Sequence, residues 1–324
     1  MAVQNDAAPW LESLLDRTIA PGYSRLGFYL RHSRWPSDDP RPDAMRGRTA
    51  LVTGANSGIG KSIAAALAGL GGTVLLGVRD RERGEQACRD IRTAVPNADV
   101  TVTLCDLADT ESVTQCAATL GDRGLNVLIH NAGVLPAERT ETADGHELTL
   151  ATHVLGPLLL TELLKRPLST AADPRVIFVA SGGMYTAPLA VDDPEFRDGH
   201  YRGATAYART KRMQVALTPL LAEHYAPHGI SVHSMHPGWV DTPGIATALP
   251  GFHRLTGPLL RSPAMGADTA VWLAATHPTP PSGHFWHDRR PRPEHYLRRT
   301  EYSSEQAGRL WVYCRRAVGL ESAH

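Results

Sequence analysis

From Thr49 onward the chain alternates short apolar or β-branched runs with amphipathic stretches of helical length. The runs read TALVTG, TVLLGV, VTVTLCD, NVLIHN, RVIFVAS and ISVHSMH, and GHFWHD at 283–288 is expected as a seventh. Strands that are apolar throughout bury both faces, and strands that alternate with helices form parallel βαβ units. The expectation is an α/β fold, with one doubly wound domain over residues 46–288 around a mostly parallel, seven-stranded sheet.

The two ends break this rhythm. Residues 1–45 form an extension with an amphipathic piece followed by the link PSDDPRPD, which is expected to be extended. Residues 289–324 form a second extension, in which Ser303 and Gln306 have capping-box spacing at the start of a last helix. Pro219 sits inside a long helical stretch and is expected to disturb it beyond Leu217.

Composition narrows the function. The 33 basic and 33 acidic residues cancel, so no global field draws the chain to nucleic acid. The four cysteines have no paired spacing, which reads as reduced thiols in a cytoplasmic protein. No apolar run approaches the ~18 residues of a membrane span. Acidic residues interrupt the polar face of the N-terminal piece, so membrane-surface contact is not expected either. The chain has 15 histidines, but His233 and His236, three apart on a strand, point to opposite faces, and no metal site is expected. Only three basic residues are lysines: Lys61, Lys165 and Lys211.

The first run leads into LVTGANSGIGK, a glycine-rich turn opening a helix. Gly54 allows the tight turn, Gly58 lets backbone approach a pyrophosphate and Gly60 allows close packing of helix on strand. This marks the domain as a Rossmann-type dinucleotide fold, with Asn56, Ser57, Gly58, Ile59 and Gly60 lining the phosphates. At the end of the second run Val78 stands where an acid would select NAD, and Arg79 follows as a donor for a 2′-phosphate. NADP(H) is therefore the expected cofactor, with NAD(H) as the alternative. Asp106 and Leu107, after the third run, would border the adenine.

Tyr207 and Lys211 lie four apart on one helical face, a spacing weak by itself. Its weight comes from following RVIFVAS, whose Ser181 would lie at the sheet's carboxyl edge. A nearby ammonium favours phenolate, so Lys211 is expected to lower the Tyr207 pKa. Tyr207 could then pass a proton to or from a carbonyl oxygen that Ser181 holds.

Together TGANSGIG, DL at 106–107, NAG at 131–133, Ser181, YARTK and HPGWVDT resemble the short-chain dehydrogenases/reductases over Thr49 to Asp288, with a retinol-dehydrogenase-like character. The resemblance implies cofactor contacts from Asn131, Ala132, Gly133, Pro237, Gly238 and Thr242, and a ribose contact from Lys211 beside Tyr207. It also implies catalytic roles for Ser181, Tyr207 and Lys211. In that family an asparagine's backbone carbonyl serves a proton relay to the lysine; here His153 stands in its place, with its ring as a candidate proton carrier. The expected activity is hydride transfer between NADP(H) and the carbonyl or alcohol of an apolar small molecule. The alternative is a weak or inactive NADP(H)-binding regulator, and a homo-oligomer is open. Met184, Tyr185, Pro188, Leu189, Trp239, Ile245, Leu249, Phe252 and Leu255 are candidates for an apolar substrate wall.

Overall fold

The expected strands form where the apolar runs place them. The computed structural model describes residues 22–241 and 256–320. Strands β1 (Thr49–Thr53), β2 (Thr73–Val78), β3 (Val100–Leu104), β4 (Val127–His130), β5 (Arg175–Val179), β6 (Ser231–Met235) and β7 (Phe285–His287) lie in the order β3-β2-β1-β4-β5-β6-β7, all parallel. An eighth strand, β8 (Arg290–Pro291), pairs antiparallel with β7. The hydrophobic pattern missed it because an exposed Arg-Pro pair carries no apolar signal. It also carries the sheet past residue 288, the expected domain edge.

Among the described residues the α-helices include α1 (Arg25–His32), α2 (Gly58–Gly69), α3 (Arg81–Ala94), α4 (Thr110–Leu120), α5 (Leu148–Leu150), α6 (Gly156–Leu163), α7 (Lys165–Ser169), α8 (Gly203–Tyr225), α9 (Pro263–Ala275) and α10 (Ser304–Ala317). A π-helical stretch, Ala151–Leu155, joins α5 to α6. Ile63, Leu67, Ile91 and Leu273 from α2, α3 and α9 fill one core with Val52, Val74 and Ile129. Leu158, Leu217 and Leu221 from α6 and α8 fill the other with Leu51, Leu128 and Val176. Among the described residues no helix is long and apolar enough to cross a membrane.

Both terminal extensions add to these layers. In α10, Leu310 and Cys314 are fully buried in the second core, and the Ser303–Gln306 capping box is present. The link at 36–43 forms turns rather than an extended segment. Asp39 accounts for this, because its carboxylate accepts from Trp272 Nε1 at 2.8 Å and Thr276 Oγ1 at 2.5 Å, pulling the link onto α9. Helix α8 continues through Pro219 to Tyr225, since Leu217, Leu221 and Tyr225 hold both sides of the proline in the core.

Asp288, just after β7, fastens the N-terminal segment to the carboxyl edge of the sheet. Its carboxylate receives Arg31 at 2.7 Å and Arg261 at 2.6 and 2.8 Å, with all three side chains almost fully buried. Arg261 also donates to the carbonyls of Gly22, Ser24 and Pro237. Burial opposes the Asp288 charge, but His287 and the two guanidiniums win and hold its carboxyl well below the usual carboxylate range. Asp288→Ala leaves two buried cations without their carboxylate and is expected to cost about 3–5 kcal/mol in urea unfolding. A loss below about 1 kcal/mol would show that this clasp contributes little.

Candidate active site

The strand order reverses between β1 and β4, which opens a crevice at their carboxyl ends, where dinucleotides bind in folds of this kind. Thr53 ties the two strands: its Oγ1 accepts from the amides of Asn131 at 3.1 Å and Ala132 at 3.2 Å. Asn131 Nδ2 answers by donating to the carbonyls of Thr53 and Gly54. Gly54 has φ +66°, and a Cβ there would stand 2.8 Å from Ala132 Cα, so only glycine fits. A Cβ on Gly60 would lie 2.3 Å from Asn131 Nδ2. The start of α2 carries no side-chain cap, although Ser57 occupies the cap position with exposed surface. Uncapped amides at a glycine-lined helix start suit a phosphate.

Arg79 is exposed directly after β2, while Val78 is buried. The neighbouring Asp80 is engaged elsewhere, capping α3 through the Arg83 amide at 3.1 Å. Arg79 takes no part in that cap. Asp106 Oδ1 receives the Ala108 amide at 3.0 Å and shapes the turn after β3. Leu107 places its side chain in the core.

Ser181 follows β5 and accepts from the Gly183 amide at 3.1 Å, and its side chain is near enough to Tyr207 to pull that phenol's pKa down. Tyr207, on the first turns of α8, is half-buried and meets the His153 ring edge-on, with centroids 5.3 Å apart. Lys211, one turn on, is only 2 % exposed. Its Nζ donates to Val179 O at 2.8 Å and Gln214 Oε1 at 3.1 Å, and lies 5.5 Å from the centre of the Tyr207 ring.

The ionisation differs from the expectation. Burial pushes Tyr207 above the usual phenol value, with the Ser181 hydrogen bond pulling the other way. Burial also brings Lys211 down to about 7, so its ammonium is only partly charged at neutrality and has less field to lend. His153 is fully buried, with Nε2 accepting from Val134 N at 2.9 Å. That fixes the proton on Nδ1, which donates to Thr210 Oγ1 at 2.8 Å, and Thr210 in turn donates to Ala206 O and Tyr207 O. Both ring nitrogens are engaged, and burial together with the Lys211 charge keeps the imidazole neutral. The ring therefore braces the site and is not poised to carry protons.

A family model described as Enoyl-(Acyl carrier protein) reductase matches residues 54–271. Dehydrogenase/reductase SDR family member 12 from Bos taurus is 41 % identical over 292 residues, covering 89 % of this chain and 91 % of that protein. The chain belongs to the short-chain dehydrogenases/reductases. Human retinol dehydrogenase 13 is 34 % identical over 319 residues, covering 94 % of this chain and 93 % of its own. The Pseudomonas aeruginosa RhlG/NADP active-site complex is 25 % identical with a TM-score of 0.60, covering 76 % of this chain and 96 % of that one. As a member of this family the protein is an NAD(P)-dependent dehydrogenase/reductase.

On this short-chain dehydrogenase/reductase frame, Gly133 and Pro237 lie in the loops that follow β4 and β6, and the Gly238 amide donates to His236 Nδ1 at 3.0 Å. Thr242, Ile245, Leu249, Phe252 and Leu255 lie outside the described residues. The described part of the candidate substrate wall comprises Met184, Tyr185, Pro188, Leu189 and Trp239. Met184, Tyr185 and Leu189 are buried in core clusters and Pro188 is exposed, leaving Trp239 partly open beside Tyr23 from the N-terminal segment, rings 6.3 Å apart. Sequence reasoning also missed Thr210 and Gln214. Their only signal was position, since both share the buried side of α8 with Lys211.

His153→Phe keeps a ring but strands the Val134 amide and the Thr210 hydroxyl. It is expected to lower thermal and urea stability by about 1–3 kcal/mol, whereas unchanged unfolding would show that the two hydrogen bonds contribute nothing.

Proposed function

We propose that this protein is an NADP(H)-preferring oxidoreductase acting on the carbonyl or alcohol of an apolar small molecule, with Tyr207 as the general acid or base. The convergence of Ser181, Tyr207 and Lys211 on one sheet edge, beside the glycine turn, carries the reading. The nicotinamide, when bound, supplies or accepts the hydride. Asn56 to Gly60 and the α2 amides would hold its pyrophosphate and Arg79 its 2′-phosphate, the charge pattern that favours NADP(H) over NAD(H). Asp106, Asn131 and Ala132 would border the nucleotide, with Pro237, Gly238 and Thr242 on the nicotinamide side.

Ser181 orients the substrate oxygen by hydrogen bonding, and Tyr207 gives it a proton as negative charge develops. A phenol held above its usual value stays protonated at neutral pH, so its proton leaves only as negative charge builds on the substrate oxygen beside it. Lys211 has two donors spent on Val179 and Gln214, leaving a third for the cofactor ribose. His153 steadies Tyr207 from the side through its ring and Thr210. Trp239 and Tyr23 offer aromatic surface for an apolar group.

Tyr207→Phe is expected to lower turnover on a panel of aldehydes and ketones by about 10²–10⁴-fold, with NADPH affinity held within about threefold by cofactor fluorescence. Retained turnover would remove Tyr207 as the acid. Arg79→Asp is expected to shift the NADPH-to-NADH affinity ratio by at least about tenfold toward NADH, as loss of a charge-assisted contact implies. An unchanged ratio would remove Arg79 from the phosphate site.

A further inference from the structure

Helix α6 begins Gly156-Pro157, and the proline has no N–H. In a regular α-helix the His153 carbonyl would accept from residue 157, and Pro157 removes that α-helical donor. The vacancy falls inside the core, where an unmet carbonyl is costly. Gln214 Nε2 fills it, donating to His153 O at 2.7 Å. The other end of the same amide, Oε1, accepts from Lys211 Nζ at 3.1 Å.

We propose that Gln214 is the positioning residue for Lys211, a buried amide strut that seats the ammonium against the helix pair and separates it from the His153 carbonyl. Gln214 and Lys211 are each 2 % exposed and His153 is fully buried, so the strut is shielded from solvent. Its orientation is not arbitrary. A backbone carbonyl can only accept, so the amide NH2 must face His153, which leaves the amide oxygen to face Lys211. The carbonyl it grips is itself fixed, because the His153 ring is held by Val134 and Thr210. An amide N–H does not give up its proton at neutral pH, so the strut holds charge in place without conducting it.

The titratable groups facing Lys211 are Tyr207, one turn earlier on α8, and His153 from the π-helical stretch; from β5 it meets the Val179 carbonyl. With His153 neutral and Tyr207 protonated, Gln214 and Val179 are the polar partners that set the ammonium's local field. The idea rests on Lys211 acting at the reacting centre, but it can be read without cofactor or substrate.

The chain has only three lysines. Lys61 and Lys165 pair with Asp90 and Glu162 and are about one-third exposed. Protein labelled with ¹³Cε-lysine therefore gives three resonances, two of them internal references. In the wild type the Lys211 signal is expected to titrate near 7. Gln214→Leu removes an acceptor and should move that midpoint down by about one unit; Gln214→Glu, of nearly the same shape, should move it up by about one unit or more. Opposite shifts from two folded variants are a result that general loosening of the core does not produce. Shifts of the same sign, or an unmoved midpoint in Gln214→Glu, would overturn the proposal, and Gln214→Glu carries the test by itself if the leucine variant does not fold. The lysine signal is read on the free protein, so a failed Tyr207 assay leaves this result interpretable.

Discussion

A lysine ammonium inside the protein is the constraint around which the site is built. Charge taken out of water is costly unless hydrogen-bond acceptors replace the lost hydration. Lys211 finds them in the Val179 carbonyl at the end of β5 and the Gln214 amide on its own helix. Gln214 is held by a carbonyl that Pro157 frees, and that carbonyl belongs to His153, whose ring is gripped from two other elements. One buried charge thus recruits β5, α8, the π-helical stretch and the loop after β4 into a single hydrogen-bonded unit beside Tyr207. Satisfied networks in a low-dielectric interior are rigid, and rigidity at the reacting centre is what proton transfer in a fixed geometry requires.

A second buried charge organises the opposite rim. Asp288 turns the chain out of β7 with φ +49° and gathers Arg31 and Arg261. Through these arginines the N-terminal segment is fastened beneath the Pro237–Gly238 turn, with Tyr23 between the His236, His287 and Trp239 rings. The N-terminal segment is therefore part of the cleft rim, although it precedes the first strand of the sheet. A buried ion pair of this kind adds little net stability over apolar packing, but it is exacting about geometry, and here it sets where a loop begins.

Much of this was legible from local pattern. The seven parallel strands, the glycine turn and the α10 capping box follow from signals that span a few residues, because strand burial, tight turns and helix caps are local constraints. The eighth strand escaped because two exposed residues carry no periodicity. The link at 36–43 was misjudged because Asp39 is drawn to Trp272 and Thr276, more than two hundred residues away. Helix α8 passes Pro219 because core contacts on both sides outweigh one missing backbone bond.

The sequence by itself determined the element order, the glycine turn and the candidate residues Ser181, Tyr207 and Lys211. Only the tertiary structure decided their ionisation and their partners. A pKa depends on burial and on groups brought close from distant segments, so spacing along the chain could supply Lys211 but not its position between Val179 and Gln214. The same holds for His153, where the sequence supplies a histidine and the packing makes it a neutral brace, since Val134 and Thr210 take both nitrogens.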